Sequence, residues 1–163
     1  MNYRLMSIDE SSKISGCALF ENGELTDYLV IDKRKIKDSS LRLHEMCKEV
    51  LETMKLWNPN GIYIEHPQGS GSNVLTVGML SEIIGVARAY AIEHECDFEE
   101  IAPSVWRRLL KFKQGGGKKR AELKQMSIDY VKERYDITAS DDLADAICIG
   151  TAVIDQFEVE EIK

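Results

Sequence analysis

The four cysteines, Cys17, Cys47, Cys96 and Cys148, never approach the CxxC spacing of zinc ribbons and redox sites, and they read as buried thiols in a reducing compartment. No basic stretch with a long apolar core opens the chain, since Met1-Asn2-Tyr3-Arg4-Leu5 leads straight into an alternating apolar segment; no signal peptide is expected, and cytoplasmic residence is. No run reads as the roughly 18 apolar residues of a bilayer span, so no membrane partner is expected. Net positive charge is missing too. At −7 the chain as a whole repels a polyanion, which leaves nucleic-acid contact to a local patch.

Such a patch is present. Between residues 107 and 124 lie Arg107, Arg108, Lys111, Lys113, Lys118, Lys119, Arg120 and Lys124 against the single acid Glu122, a local +7, while the rest of the chain stands at −14. These eight side chains are the candidate phosphate contacts, because neutralising phosphates releases counterions and that term dominates affinity. Arg107, Arg108 and Lys111 also suit the wet face of a helix whose Trp106, Leu109 and Leu110 face the core. The chain's 163 residues, 44% hydrophobic, suffice for one core, so a single domain over 1–163 is expected, with Gly115-Gly116-Gly117 a break and not a linker.

Periodicity orders the elements. Tyr3 to Asp9, Gly16 to Phe20 and Leu25 to Ile31 read as strands, the last two joined at Asn22-Gly23, a pair that accepts the positive φ angles of a two-residue hairpin. Leu43, Met46, Cys47, Val50, Leu51, Met54 and Trp57 form one helical stripe from Ser39, stopped by Asn58-Pro59-Asn60-Gly61. Ile62-Tyr63-Ile64 is a buried strand ending at Glu65. Val74 to His94 is a helix, Phe98 to Ala102 a fifth strand, and Pro103-Ser104 opens a short helix. Helices from about Lys119 to Tyr135 and from Ser140 to Phe157 complete the chain. The order predicts an α/β fold: a five-stranded mixed sheet, three antiparallel strands and then parallel ones, flanked by helices.

Asp9 ends the first strand and Glu65 the fourth; if the two strands run parallel as neighbours, both acids emerge at one sheet edge. Asp142 and Asp145, spaced i and i+3 on one helical face behind the N-cap Ser140, would join them if that helix crossed the strand ends. Four carboxylates without neighbouring His or Cys suit hard cations such as Mg2+, with Mn2+ a substitute, and two ions in such a site serve phosphodiester hydrolysis. Taken alone, first-turn acids such as Asp141, Asp142 and Asp145 equally complement a helix dipole. His66 reads first as a loop residue before Pro67 and second as a general base.

Ser7-Ile8-Asp9 with Ser15-Gly16, Ile62-Tyr63-Ile64-Glu65, Pro103-Ser104-Val105-Trp106-Arg107-Arg108 with the basic segment, and Asp142-Leu143-Ala144-Asp145-Ala146 together resemble the RuvC-type Holliday-junction resolvases, of the ribonuclease H-like superfamily and particularly their phage members. The resemblance implies a ribonuclease H-like fold, catalytic and metal-binding roles for Asp9, Glu65, Asp142 and Asp145, two Mg2+ ions, a homodimer, no small-molecule cofactor, and paired incisions in branched DNA within a bacterial host cell. It also implies that Lys118 or Lys119 sits close to the scissile phosphate. Two departures stand out. Asp9 is followed by Glu10-Ser11 where the family usually has Pro-Gly, making Glu10 a participant just outside the direct ligands. The loop after Glu65 lacks the aromatic of cellular members, so three-way and flap substrates are expected to be cut alongside four-way ones. Pro67 to Ser72 would lie near the junction centre, with Ser70 to Asn73 near the cut, and the Val74 to His94 helix, with Gly78, Gly85 and Ala89 on one face, packs either on the sheet or on a partner.

Two rivals differ in class. An actin-like ATPase shares the topology but needs a second domain and another glycine motif, which 163 residues do not supply. A non-catalytic junction binder would be marked by loss of one of the four acids, and here all four positions are acidic.

Overall fold

The computed structural model describes residues 3–67 and 74–161, without the side chains of 158–161. Its elements run β1 (Arg4–Asp9), β2 (Ile14–Glu21), β3 (Glu24–Asp32), α1 (Ser39–Trp57), β4 (Gly61–Glu65), α2 (Val74–Glu93), β5 (Asp97–Ile101), α3 (Pro103–Leu109), α4 (Arg120–Tyr135) and α5 (Asp141–Glu161). The strands form one sheet in the order β3-β2-β1-β4-β5, the mixed five-stranded arrangement expected. β1, β2 and β3 pair antiparallel, while β4 lies parallel to both β1 and β5.

The hairpin turns as Asn22-Gly23 requires, with φ of 53° and 88°, and a bulge at Leu19/Phe20 shifts the register beyond it. Alternation along each strand divides two cores. Leu5, Ala18, Phe20 and Tyr63 meet the apolar face of α5 with Trp106, while Met6, Ile8, Cys17, Leu19, Ile62 and Ile64 meet α1 and α2 on the other side. Asp38 caps α1 by accepting from Leu41 N at 2.8 Å, and Asn58 closes it in the left-handed region.

α5 is the most buried helix, and two anchors set its position over the strand ends. Ser7 Oγ donates to the Ala146 carbonyl at 2.7 Å, tying its second turn to β1. Gly16 lets its first turn close on β2: a Cβ there would overlap the Asp142 carbonyl and lie 2.9 Å from Leu143 Cα. Gly150 serves likewise one face deeper, against Phe20 and Ser7.

One expectation is corrected. Val74–Glu93 is, by length and composition, apolar enough to cross a membrane, because only Glu82 and Arg88 interrupt its first 18 residues. Here it packs Ile83, Ile84, Ala87, Tyr90 and Ala91 inward and leaves the opposite face bare. Val74, Leu75 and Ile92 are 86%, 78% and 75% exposed. Among the described residues nothing lies within 4 Å of a Cβ added at Gly78 or Gly85, so these glycines do not serve packing on the sheet.

Candidate active site

The register brings Asp9 and Glu65 together. Ile8 pairs with Ile64 between the parallel β1 and β4, so the next residue on each strand, Asp9 and Glu65, leaves the sheet side by side. Both share the strand phase of Leu5, Ser7 and Tyr63, which is the α5 side. α5, locked by Ser7 and Gly16, contributes Asp142 and Asp145. The four acids line one cleft of about 480 Å³ together with Glu10, Ser11, Arg107, Arg120 and Lys124.

Burial and mutual repulsion dominate its electrostatics. Asp9 is pushed well above the usual carboxylate range by desolvation, then by the charges of Glu65, Asp145, Glu10 and Asp142. Desolvation raises Glu65 to about 7, against an opposing hydrogen bond from Trp106, whose Nε1 donates to Glu65 Oε2 at 2.9 Å. Asp142 and Asp145 move up for the same first cause. Asp145 is only 6% exposed and its Oδ1 has no hydrogen-bond partner among the described residues; the Ser127 hydroxyl is near enough to oppose the shift but outside hydrogen-bond geometry.

A largely buried set of oxygen donors, each shifted towards the neutral form by desolvation, is what a hard divalent cation would relieve. Among the described residues no three His, Cys, Asp or Glu side chains are closed up into a ready-made cage, so binding would draw these acids inward. Asp142 faces the cleft, whereas Asp141 is turned to an ion pair with Lys124 that lowers its pKa. His66 Nδ1 is engaged at 2.7 Å by Glu100, itself paired with Arg88, and His66 does not line the cleft.

The basic segment divides. Arg107, Arg120 and Lys124 border the acids, and Arg107 stacks over Trp106 at 4.6 Å. Arg108, Lys111, Lys113, Lys118 and Lys119 are exposed outside the cleft, along α3, the glycine turn and the start of α4. Gly115, Gly116 and Gly117 all have positive φ, and Glu122 accepts from Lys119 N at 2.8 Å to begin α4. The expectations for Ser70 to Asn73, and for most of the Pro67 to Ser72 loop, lie outside the described residues.

Sequence reasoning misses three features. Trp106 belongs to the core, as its helical spacing indicates, but its tie to Glu65 depends on a contact across 41 residues. Glu10 is 7% exposed, with Oε2 unpartnered, which no local pattern announces. The run Lys33-Arg34-Lys35-Ile36-Lys37 carries a visible signal that the motif reading passes over. Ile14 pairs with Asp32, so this segment leaves the sheet at the same end as Asp9, beside exposed Lys13, and Arg34 feels the charge of Asp142. Lys33 and Arg34 are paired with Glu49 and Asp32, which leaves the exposed Lys13, Lys35 and Lys37 as positive charge at this end of the sheet.

Compared with protein-family models the chain matches none, and compared with curated proteins it matches none. Solved structures give strong fold likenesses. Thermus thermophilus RuvC in complex with a Holliday junction substrate superposes with a TM-score of 0.73 at 15% identity over 96% of both chains. Fowlpox virus resolvase, in a complex with substrate Holliday junction DNA, gives 0.65 at 19% identity over 96% of this chain and 99% of that one. The yeast mitochondrial Holliday junction resolvase Ydc2 gives 0.59 at 17% identity over 98% and 81%. The fold is thus the ribonuclease H-like fold of the RuvC-type resolvases.

Proposed function

We propose that this protein is a divalent-metal-dependent DNA endonuclease that resolves four-way junctions by paired phosphodiester hydrolysis. The observation that carries the reading is the convergence of Asp9, Glu65, Asp142 and Asp145 on one cleft bordered by Arg107, Arg120 and Lys124. That the Thermus and fowlpox structures of the same fold hold Holliday junction DNA supports the choice of substrate.

In this reading Asp9, Glu65, Asp142 and Asp145 would hold two Mg2+ ions, with Mn2+ an acceptable replacement. When bound, the ions would supply Lewis-acid activation of the attacking water and stabilisation of the leaving oxygen. The chain's own residues do the positioning: Trp106 holds Glu65 in one rotamer, and Ser7 and Gly16 hold α5 across the strand ends. Arg107, Arg120 and Lys124 attract the scissile phosphate towards a cleft that would otherwise repel it. The exposed Arg108, Lys111, Lys113, Lys118 and Lys119, with Lys13, Lys35 and Lys37 opposite, hold the flanking arms.

Paired cuts call for two sites related by a two-fold axis, which a homodimer supplies. The bare apolar face of α2, open at Gly78 and Gly85, is the surface a second copy would cover. The segment from Gln68 to Asn73 offers no aromatic to stack on an unpaired base, so recognition rests on branch shape and phosphate charge, and three-way and flap substrates are cut as well. Incubating end-labelled four-way junctions and a continuous duplex of the same sequence with the protein in Mg2+ tests the reading. Cleavage restricted to the junctions and abolished by EDTA supports it; no cleavage, or equal cleavage of the duplex, overturns it.

A further inference from the structure

Glu10 stands outside the four acids yet borders the same cleft. It is 7% exposed, and its Oε2 has no hydrogen-bond partner among the described residues. A buried carboxylate oxygen without a partner costs free energy, and no apolar role needs an acid there. Strand phase explains its direction. Asp9 shares the phase of Leu5 and Ser7 on the α5 side, and Glu10, one residue on, takes that of Met6 and Ile8 on the α2 side. Glu100, also on the α2 side through its pair with Arg88, bears on Glu10 together with Glu65. The cleft accordingly wraps the sheet end, with Asp142 and Asp145 on one flank, Thr76, Leu80 and Glu10 on the other, and Asp9 and Glu65 between them.

We infer that Glu10 is a fifth carboxylate ligand for a hard divalent cation, completing with Asp9 and Glu65 a cation position on the α2 flank of the cleft. Asp142 and Asp145 serve the opposite flank, and Asp9 is common to both. The inference rests on the proposed metal-dependent reading and adds a ligand to it. Arg88 and His66 are occupied by Glu100, which leaves Glu10 without a basic side-chain partner among the described residues.

The test counts Mn2+ ions bound to the metal-free protein by the loss of the free-ion electron paramagnetic resonance signal, for the parent, Glu10→Gln, Glu10→Met and Asp9→Asn. Glu10→Gln keeps the shape, and Glu10→Met removes the polar atoms that an amide would bring. Both are expected to weaken one of the bound ions at least about tenfold while the other keeps its affinity, and Asp9→Asn to weaken both. In EDTA at pH 8 the two Glu10 variants should melt no lower than the parent. Unchanged number and affinity of Mn2+ in both Glu10 variants, with loss in Asp9→Asn, overturns the role of Glu10 and leaves the nuclease reading standing. A parent that binds no Mn2+ overturns both. A marked drop in the metal-free melting temperature of both Glu10 variants assigns Glu10 to internal bonding and likewise overturns the inference.

Discussion

Trp106 donates its indole N–H to Glu65 at 2.9 Å, so a fully buried ring in the core between sheet and α5 orients a carboxylate in the cleft and opposes the rise in its pKa that burial brings. Trp106→Phe keeps most of the packing and removes the donor. Because that bond favours the ionised form, the Glu65 pKa should rise further above about 7 and the pH–rate profile in Mg2+ should move to the alkaline side. Stability should fall by about 1–3 kcal/mol. A profile that stays in place would mean the bond leaves Glu65 unaffected.

The metal-free protein should weaken as pH rises. Glu65 is held at about 7 against its ordinary 4.5, and Asp9, Glu10, Asp142 and Asp145 are displaced the same way. A carboxyl raised by folding leaves stability intact below its unfolded value and removes it as pH climbs through the folded one. For Glu65 that window is about 4.5 to 7, and at about 1.4 kcal/mol per pKa unit the loss is on the order of 3 kcal/mol. Melting in EDTA should show Glu65→Gln above the parent at pH 8 and level with it at pH 4. A variant below the parent at pH 8 would mean that the charged form is held by bonds of its own.

Gly16 and Asp142 are bound by the same logic of close approach. Gly16→Ala places a methyl into the Asp142 carbonyl and against Leu143, so the first turn of α5 must shift. The cost should be about 1–3 kcal/mol, and cutting should fall more than junction binding, because Asp142 moves while the basic segments do not. Thermal melts with parallel binding and cleavage assays check this; equal losses in both assays would count against it.

Within α5, Asp142→Asn should abolish cutting and Asp141→Asn should keep it, since of these two Asp142 lines the cleft and Asp141 is spent on Lys124. Asp9→Asn, Glu65→Gln and Asp145→Asn should join Asp142→Asn in binding junctions without cutting them. An inactive Asp141→Asn beside an active Asp142→Asn would reverse the assignment.

Much of this arrangement was legible in the sequence, and the reasons are physical. Asp9 and Glu65 each end a short apolar strand, and parallel pairing of neighbours makes strand-end acids meet. Asp142 and Asp145 declare a shared face by spacing alone. Gly16 enters only as part of a strand and a motif, and its close approach to the Asp142 carbonyl is visible only in the tertiary structure. The contacts of Trp106 and the burial of Glu10 join residues far apart or depend on how α2 closes over the sheet end, and no local pattern encodes them. The apolar length of α2 is passed over by the sequence reading: its inner face meets the sheet and α1, while its outer face, at Gly78 and Gly85, meets nothing among the described residues.

That bare face should govern assembly. Leu75→Glu combined with Ile92→Glu should leave the fold intact, since both side chains are exposed, and convert a dimer to a monomer in sedimentation at micromolar concentration. A parent already monomeric under those conditions contradicts the dimer.

The account's central claim is paired incision at a branch, and a supercoiled plasmid carrying an extruded inverted repeat tests it most directly. Two coordinated cuts across the cruciform give linear DNA, whereas one cut relaxes the plasmid and leaves an open circle. With Mg2+ the account predicts linear product from the earliest times, and none for Asp9→Asn or in EDTA. Open circles alone, or an untouched plasmid, would contradict it.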